Sequence, residues 1–258
     1  MKTKKIFAIL IAVFFAFSLL FSCVLLFSVK KVDVNYAVGE ETDVSAVEKE
    51  LNAFTGKNLL FLDVTAVENC LAAQPYFEIT EVKKSYPNVL TVGVKERRET
   101  FVVVSGDSAY ITEETGLLLK ETSVSSLTDD RNVIRVNLTG INVLSASAGK
   151  KLLTSGDELL YGAFEMAKAV RLGDCIKSVS LTKAPERNLA VFQTYSGVKI
   201  KVEDANIRGT DMIKAAFSAY DLLDNDYLKL NKVIEVVLNK ENGTIRVTWT
   251  DRSESLTR

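Results

Sequence analysis

The 258-residue chain contains no histidine, and that absence removes much chemistry at once. Without imidazole there is no Ser-His-Asp or Cys-His nucleophile, no histidine general base and no His-ligated zinc or haem. Cysteine is scarce too: Cys23, Cys70 and Cys175 form neither a CxxC pair nor a disulfide framework. A P-loop is missing, because the glycine required five residues before Gly149-Lys150 is Leu144, and no GxGxxG occurs. Only three prolines are present, with no Pro-rich stalk, solenoid repeat or low-complexity tract.

Carboxylates are plentiful but poorly arranged for chemistry. Asp221, Asp224 and Asp226 lack the Asp-x-Asp-x-Asp-Gly loop and closing Glu of an EF-hand, and read as a solvated helix end. Glu113-Glu114 and Asp129-Asp130 fall at turns rather than beside organising pocket residues. Asn137-Leu138-Thr139 and Asn242-Gly243-Thr244 match the glycosylation sequon, which matters only in a eukaryotic secretory setting. Cys70 reads as a buried free thiol on a short helix and Cys175 as similar, with a Cys70–Cys175 disulfide as the alternative. The expectation is a protein with no enzymatic activity, no cofactor and no metal.

What the chain does have is one long apolar run. Residues 6–29 (IFAILIAVFFAFSLLFSCVLLFSV) hold no charge over 24 positions, and their only polar members are Ser18, Ser22 and Ser28. As a helix they cover about 36 Å, enough to cross a hydrocarbon core of about 30 Å with some tilt. A cleaved signal peptide fits less well, since its apolar region is shorter and the residues that follow here are Lys30-Lys31-Val32-Asp33. Leu20-Phe21-Ser22-Cys23 loosely resembles a lipobox, but the run continues beyond Cys23, which reads instead as a small apolar residue in a membrane helix.

Five of the 32 basic residues and none of the 33 acidic ones precede position 32, so 32–258 holds 27 against 33, a net −6. That sign offers no case for nucleic acid or for a polybasic grip on lipid. Lys2, Lys4 and Lys5 with the α-amino group outweigh Lys30 and Lys31, which places residues 1–5 as a short cytoplasmic tail and the body outside the membrane.

After the run, periodicity predicts β-α-α-β-β. Lys31–Val38 alternates as a strand; Thr42 caps a helix carrying Val44, Val47, Leu51 and Phe54; Thr65 and Glu68 form a capping box for a short helix through Leu71. Pro75 ends that helix, and strands Phe77–Lys84 and Val89–Val94 follow, joined at Tyr86-Pro87-Asn88. From Glu99 the texture changes to short strands, at Phe101–Val104, Ala109–Thr112, Leu117–Lys120 and Val133–Asn137. A helix from about Asp157 to Leu172 is opened by Ser155 and Glu158, and a second is capped by Thr210 and carries Ile213, Phe217, Tyr220 and Leu223. Strands at Ile176–Leu181, Leu189–Gln193 and Gly197–Val202 lie between the helices, and Val233–Leu238 and Thr244–Trp249 end the fold around Asn242-Gly243. The fold class is α+β, with a mostly antiparallel sheet in the second domain.

Gly56-Lys57-Asn58-Leu59-Leu60-Phe61-Leu62-Asp63, Pro75-Tyr76-Phe77, and Tyr86-Pro87-Asn88-Val89-Leu90-Thr91-Val92 followed by Val94-Lys95-Glu96-Arg97 resemble the signature of the FtsQ/DivIB bacterial cell-division family. Tyr110-Ile111-Thr112-Glu113-Glu114-Thr115-Gly116 is similar to that family's hairpin, and Glu235 through Trp249 to its closing strand pair. Two features depart from the pattern. Glu203-Asp204 stands where the family has Leu-Gly, and the proline near Val133–Asn137 is missing. The resemblance implies a transmembrane helix over 6–29, a POTRA domain over 30–98, a β-domain over 99–250 and a polar tail over 251–258.

The last strand is the candidate binding element. Thr244 through Trp249 is rich in β-branched residues, holds the only Trp, and precedes a polar tail that need not cover it. An uncovered edge offers N–H and C=O groups to a second protein, and Trp and Arg are hot-spot residue types. The alternative is a strand that merely closes the sheet, with Trp249 in the core. The resemblance points to partner binding at Leu238, Thr244, Ile245, Arg246, Val247, Thr248 and Trp249. The partners it implies are FtsB/DivIC-like and FtsL-like subunits among other division proteins, in the membrane at the septum, with an influence on septal peptidoglycan synthesis. A membrane-anchored POTRA protein of transport or envelope assembly, or an anchored extracytoplasmic enzyme, is the reading from another class.

Overall fold

The computed structural model describes residues 2–39, 42–128, 130–170, 176–185, 187–222, 233–239 and 242–250. The chain divides into two compact units, 1–97 and 98–258.

The first unit opens with α1 (Lys2–Leu26), a 25-residue helix. Taken over the described residues, no helix is long and apolar enough to cross a membrane. Next come β1 (Lys31–Ala37), α2 (Ser45–Asn52), α3 (Val64–Glu68), β2 (Phe77–Ser85) and β3 (Val89–Glu96). Their sheet has the order β1-β3-β2, with β1 parallel and β2 antiparallel to the central β3. Leu90, Val92 and Val94 of β3 face Val47 and Leu51 of α2 together with Leu59, Leu62 and Val67, forming the core of this unit.

Two of the expected caps are displaced by stronger partners. Thr42 does not cap α2, which begins behind Val44 without a side-chain cap. Its hydroxyl donates instead to Glu96 Oε2 at 2.8 Å, beside the Gly39 N–H at 3.0 Å. Thr65 likewise lies inside α3, where its N–H donates to the true cap, Asp63 Oδ1, at 3.0 Å. That helix ends at Glu68 rather than Leu71. Cys70 is a half-buried free thiol whose pKa is pushed up by burial and then by Glu50; Cys175 lies outside the described residues.

In the second unit β4 (Phe101–Ser105), β5 (Ser108–Thr112) and β6 (Leu118–Ser123) form a meander. They are followed by β7 (Ile134–Thr139), the short pair β8 (Val143–Ser145) and β9 (Leu153–Thr154), and α4 (Asp157–Ala169). Then come β10 (Ile176–Lys183), β11 (Asn188–Thr194), β12 (Lys199–Glu203), α5 (Gly209–Asp221), β13 (Val233–Leu238) and β14 (Ile245–Thr250). Among the described residues, nine strands form one sheet in the order β14-β13-β12-β11-β10-β7-β4-β5-β6. The sheet is mixed: β4 with β7, β7 with β10 and β12 with β13 are parallel. The last two of these junctions follow from crossover helices, because a strand returning through α4 or α5 comes back in the same direction.

Both helices pack on one face, against Phe101, Val136, Phe192, Ile200, Ile234 and their neighbours. Ser155 does not cap α4; its Oγ accepts the Asn142 N–H at 2.9 Å, and the position before the helix is Gly156. Thr210 is also inside its helix, behind Arg208 in the left-handed region at φ 52°. Gly209 permits the approach of the two helices, since a Cβ there would lie 2.8 Å from Met166 Sδ. Leu172 and Leu223 lie outside the described residues.

Tyr161 on α4 donates its hydroxyl to Leu152 O. Burial, and then Asp157, push its pKa from 10.0 to about 12. The unfolded chain therefore loses this proton first, and stability falls as pH rises from 10.0 toward about 12. Tyr161→Phe should be less stable at neutral pH for want of the hydrogen bond, yet decline less steeply across that window. Denaturant midpoints at stepped pH measure both; equal slopes would sink the assignment.

Candidate partner-binding edge

β14 ends the nine-stranded sheet, and among the described residues no strand pairs with its far side. Described hydrogen bonds tie the start of β14 to the end of β13. Asn239 N–H donates to Thr244 O at 2.9 Å and Gly243 N–H to Asn239 O at 2.8 Å. Asn242 Oδ1 accepts from Thr244 N–H at 3.0 Å and from its hydroxyl at 2.7 Å, while Gly243 takes φ +69°. Arg208 binds the turn to α5, donating to Gly243 O at 3.0 Å and to Asp211 Oδ2 at 3.1 Å.

Register divides β14 between two faces. Ile245, Val247 and Trp249 lie opposite Leu238, Val236 and Ile234, so they share the helix-covered face. Ile245 and Val247 pack partly against the core there. Trp249 does not complete it, being 45% exposed. Arg246 and Thr248 lie on the open face, opposite Val237 and Glu235. Leu238 is buried in the core, and Thr244 belongs to the turn.

The open face supplies side chains that the sequence did not single out. Val237, an exposed apolar residue, stands beside Arg246. Glu235 is held by Lys201 Nζ at 3.0 Å and leaves its main-chain O to the Thr248 hydroxyl at 3.4 Å. Strand alternation was the available signal for Val237, because Ile234, Val236 and Leu238 already fill the inward positions. An open edge flanked by an exposed aromatic on one face and a cation on the other is suited to holding an extended segment.

Comparison with known proteins is consistent over most of the chain. Residues 27–97 match the POTRA domain, FtsQ-type. Cell division protein DivIB of Clostridium acetobutylicum is 23% identical over 72% of this chain, which spans 64% of that relative's length. The protein of the same name from Clostridium botulinum strain Hall is 23% identical over 95% of this chain and 92% of its own. A Clostridium tetani DivIB is 21% identical over 83% of this chain and 71% of its own length. A solved major extracytoplasmic domain of DivIB from Geobacillus stearothermophilus aligns with 50% of this chain and 98% of its own, at 16% identity and a TM-score of 0.30. Residues 27–97 thus match an FtsQ-type POTRA domain, and the chain is similar to DivIB cell-division proteins along most of its length.

Proposed function

We propose that this protein is a bitopic, non-enzymatic assembly subunit of the bacterial division machinery, and that its β14 edge receives an extended segment of a DivIC/FtsB-like partner. The observation that carries the reading is the uncovered edge itself, with exposed Arg246 and Thr248 on the open face that also carries Val237, and exposed Trp249 on the other face. A sheet edge supplies affinity through main-chain hydrogen bonds and specificity through alternate side chains. The division role draws support from the DivIB relatives. An FtsL-like subunit joins the same assembly, and its output is control of septal peptidoglycan synthesis.

Residues 6–29 are the proposed anchor, with 1–5 cytoplasmic, 30–98 and 99–250 outside the membrane and 251–258 a polar tail. Two facts favour the anchor. The run carries no charge, and the described large side chains of α1, among them Phe14, Phe15, Phe17 and Phe21, are exposed. An uncharged stretch whose described large side chains are exposed is matched to lipid. Placement is then the cell membrane at the division septum.

Depleting the protein tests the division role. Filamentous cells without septa are the expected outcome, and normal septation at full growth rate would overturn it.

A further inference from the structure

Three large side chains left unused by the core of the first unit gather where α1 meets it. Phe61 is 84% exposed and Leu60 41%, although their neighbours Leu59 and Leu62 are buried. Tyr86, 56% exposed, stands at the turn between β2 and β3, its ring edge-on to Phe27 at 6.0 Å between centroids. Main-chain bonds pin this loop to the end of the apolar run. Leu59 N–H donates to Phe27 O at 2.7 Å, Val29 N–H to Lys57 O at 2.9 Å, and Gly56 N–H to Val29 O at 2.8 Å. Asn58 Oδ1 accepts the Leu60 N–H at 3.0 Å, which fixes how the chain turns just before Phe61.

A loop that served only to close the fold would need Leu59 and Leu62 alone. Phe61 contributes nothing to the core and exposes a full aromatic side chain to water, which is unfavourable. We infer that Leu60, Phe61 and Tyr86 form a foot that rests in the lipid interface around the exit of α1. The inference rests on the proposed membrane span. Its occupant is lipid rather than protein because of continuity. Phe27 belongs to the apolar run, and Phe61 lies only two residues beyond Leu59, within about 7 Å along the chain. The headgroup layer is itself roughly 5–8 Å deep on each side of the hydrocarbon. Aromatic residues concentrate in that layer because their rings are apolar and polarisable while their edges tolerate water. Lys84 reaches Leu60 O at 3.4 Å, so its ammonium sits at the foot while its stem can follow apolar surface.

The test uses the full chain carrying Trp249→Phe, so that an introduced indole is the sole tryptophan. F61W and, separately, F14W are reconstituted into vesicles of phosphatidylcholine and phosphatidylglycerol with bromine placed shallow or deep in the acyl chains. Phe61 is exposed, so its replacement leaves the core intact. F61W should emit to the blue of its value in detergent-free urea and lose roughly half its intensity to shallow bromines, more than to deep ones. F14W should be quenched chiefly by deep bromines. If F61W emits as in water and is unquenched while F14W is quenched, the foot is overturned and the anchor stands. If neither is quenched, the anchor itself fails and the foot with it.

Discussion

Val247→Pro is expected to abolish capture of an extended partner on β14 while leaving the second unit folded, and Arg246→Pro one residue earlier to damage the fold instead. The difference comes from the hairpin. Asn239 N–H donates to Thr244 O, which makes that pair a hydrogen-bonded one. Antiparallel pairs alternate, so with the observed register the next bonded pairs are Val237 with Arg246 and Glu235 with Thr248. Ile245, Val247 and Trp249 must then direct their N–H and C=O groups to the open side. Proline is tolerated on an edge strand where its missing N–H faced solvent, and that is the group a partner strand needs. Its ring also blocks close approach, so affinity should fall about 100-fold, or about 2.7 kcal/mol. Arg246→Pro removes a bond to β13 and leaves a carbonyl unpaired, costing about 1–3 kcal/mol of stability.

Val247→Ala controls for the packing that Val247 contributes. Arg246→Ala and Trp249→Ala should each weaken binding by about 2 kcal/mol, roughly 30-fold, if they act as hot spots. Titration of the full-length variants with the proposed DivIC-like partner, alongside thermal unfolding, separates the two effects. Wild-type affinity in Val247→Pro would show that the partner does not add a strand at this edge.

Alternation made much of this legible. Leu90, Val92 and Val94 stand out because a sheet covered on one face writes a period of two into its central strand, and all three are buried. Alternation reports which face a residue takes and is silent on strand direction: β7 and β10 show the same in-out pattern as antiparallel β11, yet pair in parallel with each other. Direction was carried by the helices between strands, which a largely antiparallel expectation did not use. Caps failed for a different reason. Thr42 and Ser155 are suited to capping by type, but Glu96 and the Asn142 N–H, distant in sequence, engage them first.

The departure at Glu203-Asp204 also gains a physical meaning. Where the family resemblance places Gly, Asp204 adopts φ +50°, a conformation that Asp tolerates better than most side chains. At the edge, the strand and its residues were readable as a unit. Alternation already places Leu238 inward and Val237 outward; what it leaves open is the register at the Asn242-Gly243 turn that sets Val237 opposite Arg246.

Phe164→Ala should destabilise the second unit severely. Phe164 is 1% exposed, stacks on Phe101 at 4.0 Å with planes 4° apart, and meets Tyr161 edge-on at 5.7 Å. It joins α4 to the strand that continues directly from the first unit's boundary, so its loss opens the helix–sheet interface rather than a peripheral pocket. Local relaxation is restricted. Gly116 holds φ +84°, and a Cβ there would already lie 2.3 Å from Tyr161 Cε1 and 3.2 Å from Phe164 Cε2, showing how closely the backbone turn seats against both rings. Loss of a buried Phe costs about 3–5 kcal/mol, a large share of a typical stability of about 5–15 kcal/mol. For a unit of this size that corresponds to a fall of roughly 10 °C in Tm. Phe164→Leu, which keeps most of the volume, should lose less than half as much. Calorimetry of the full chain measures the shift, and a fall in Tm under about 2 °C for Phe164→Ala would show that the ring stack does not hold the second unit together.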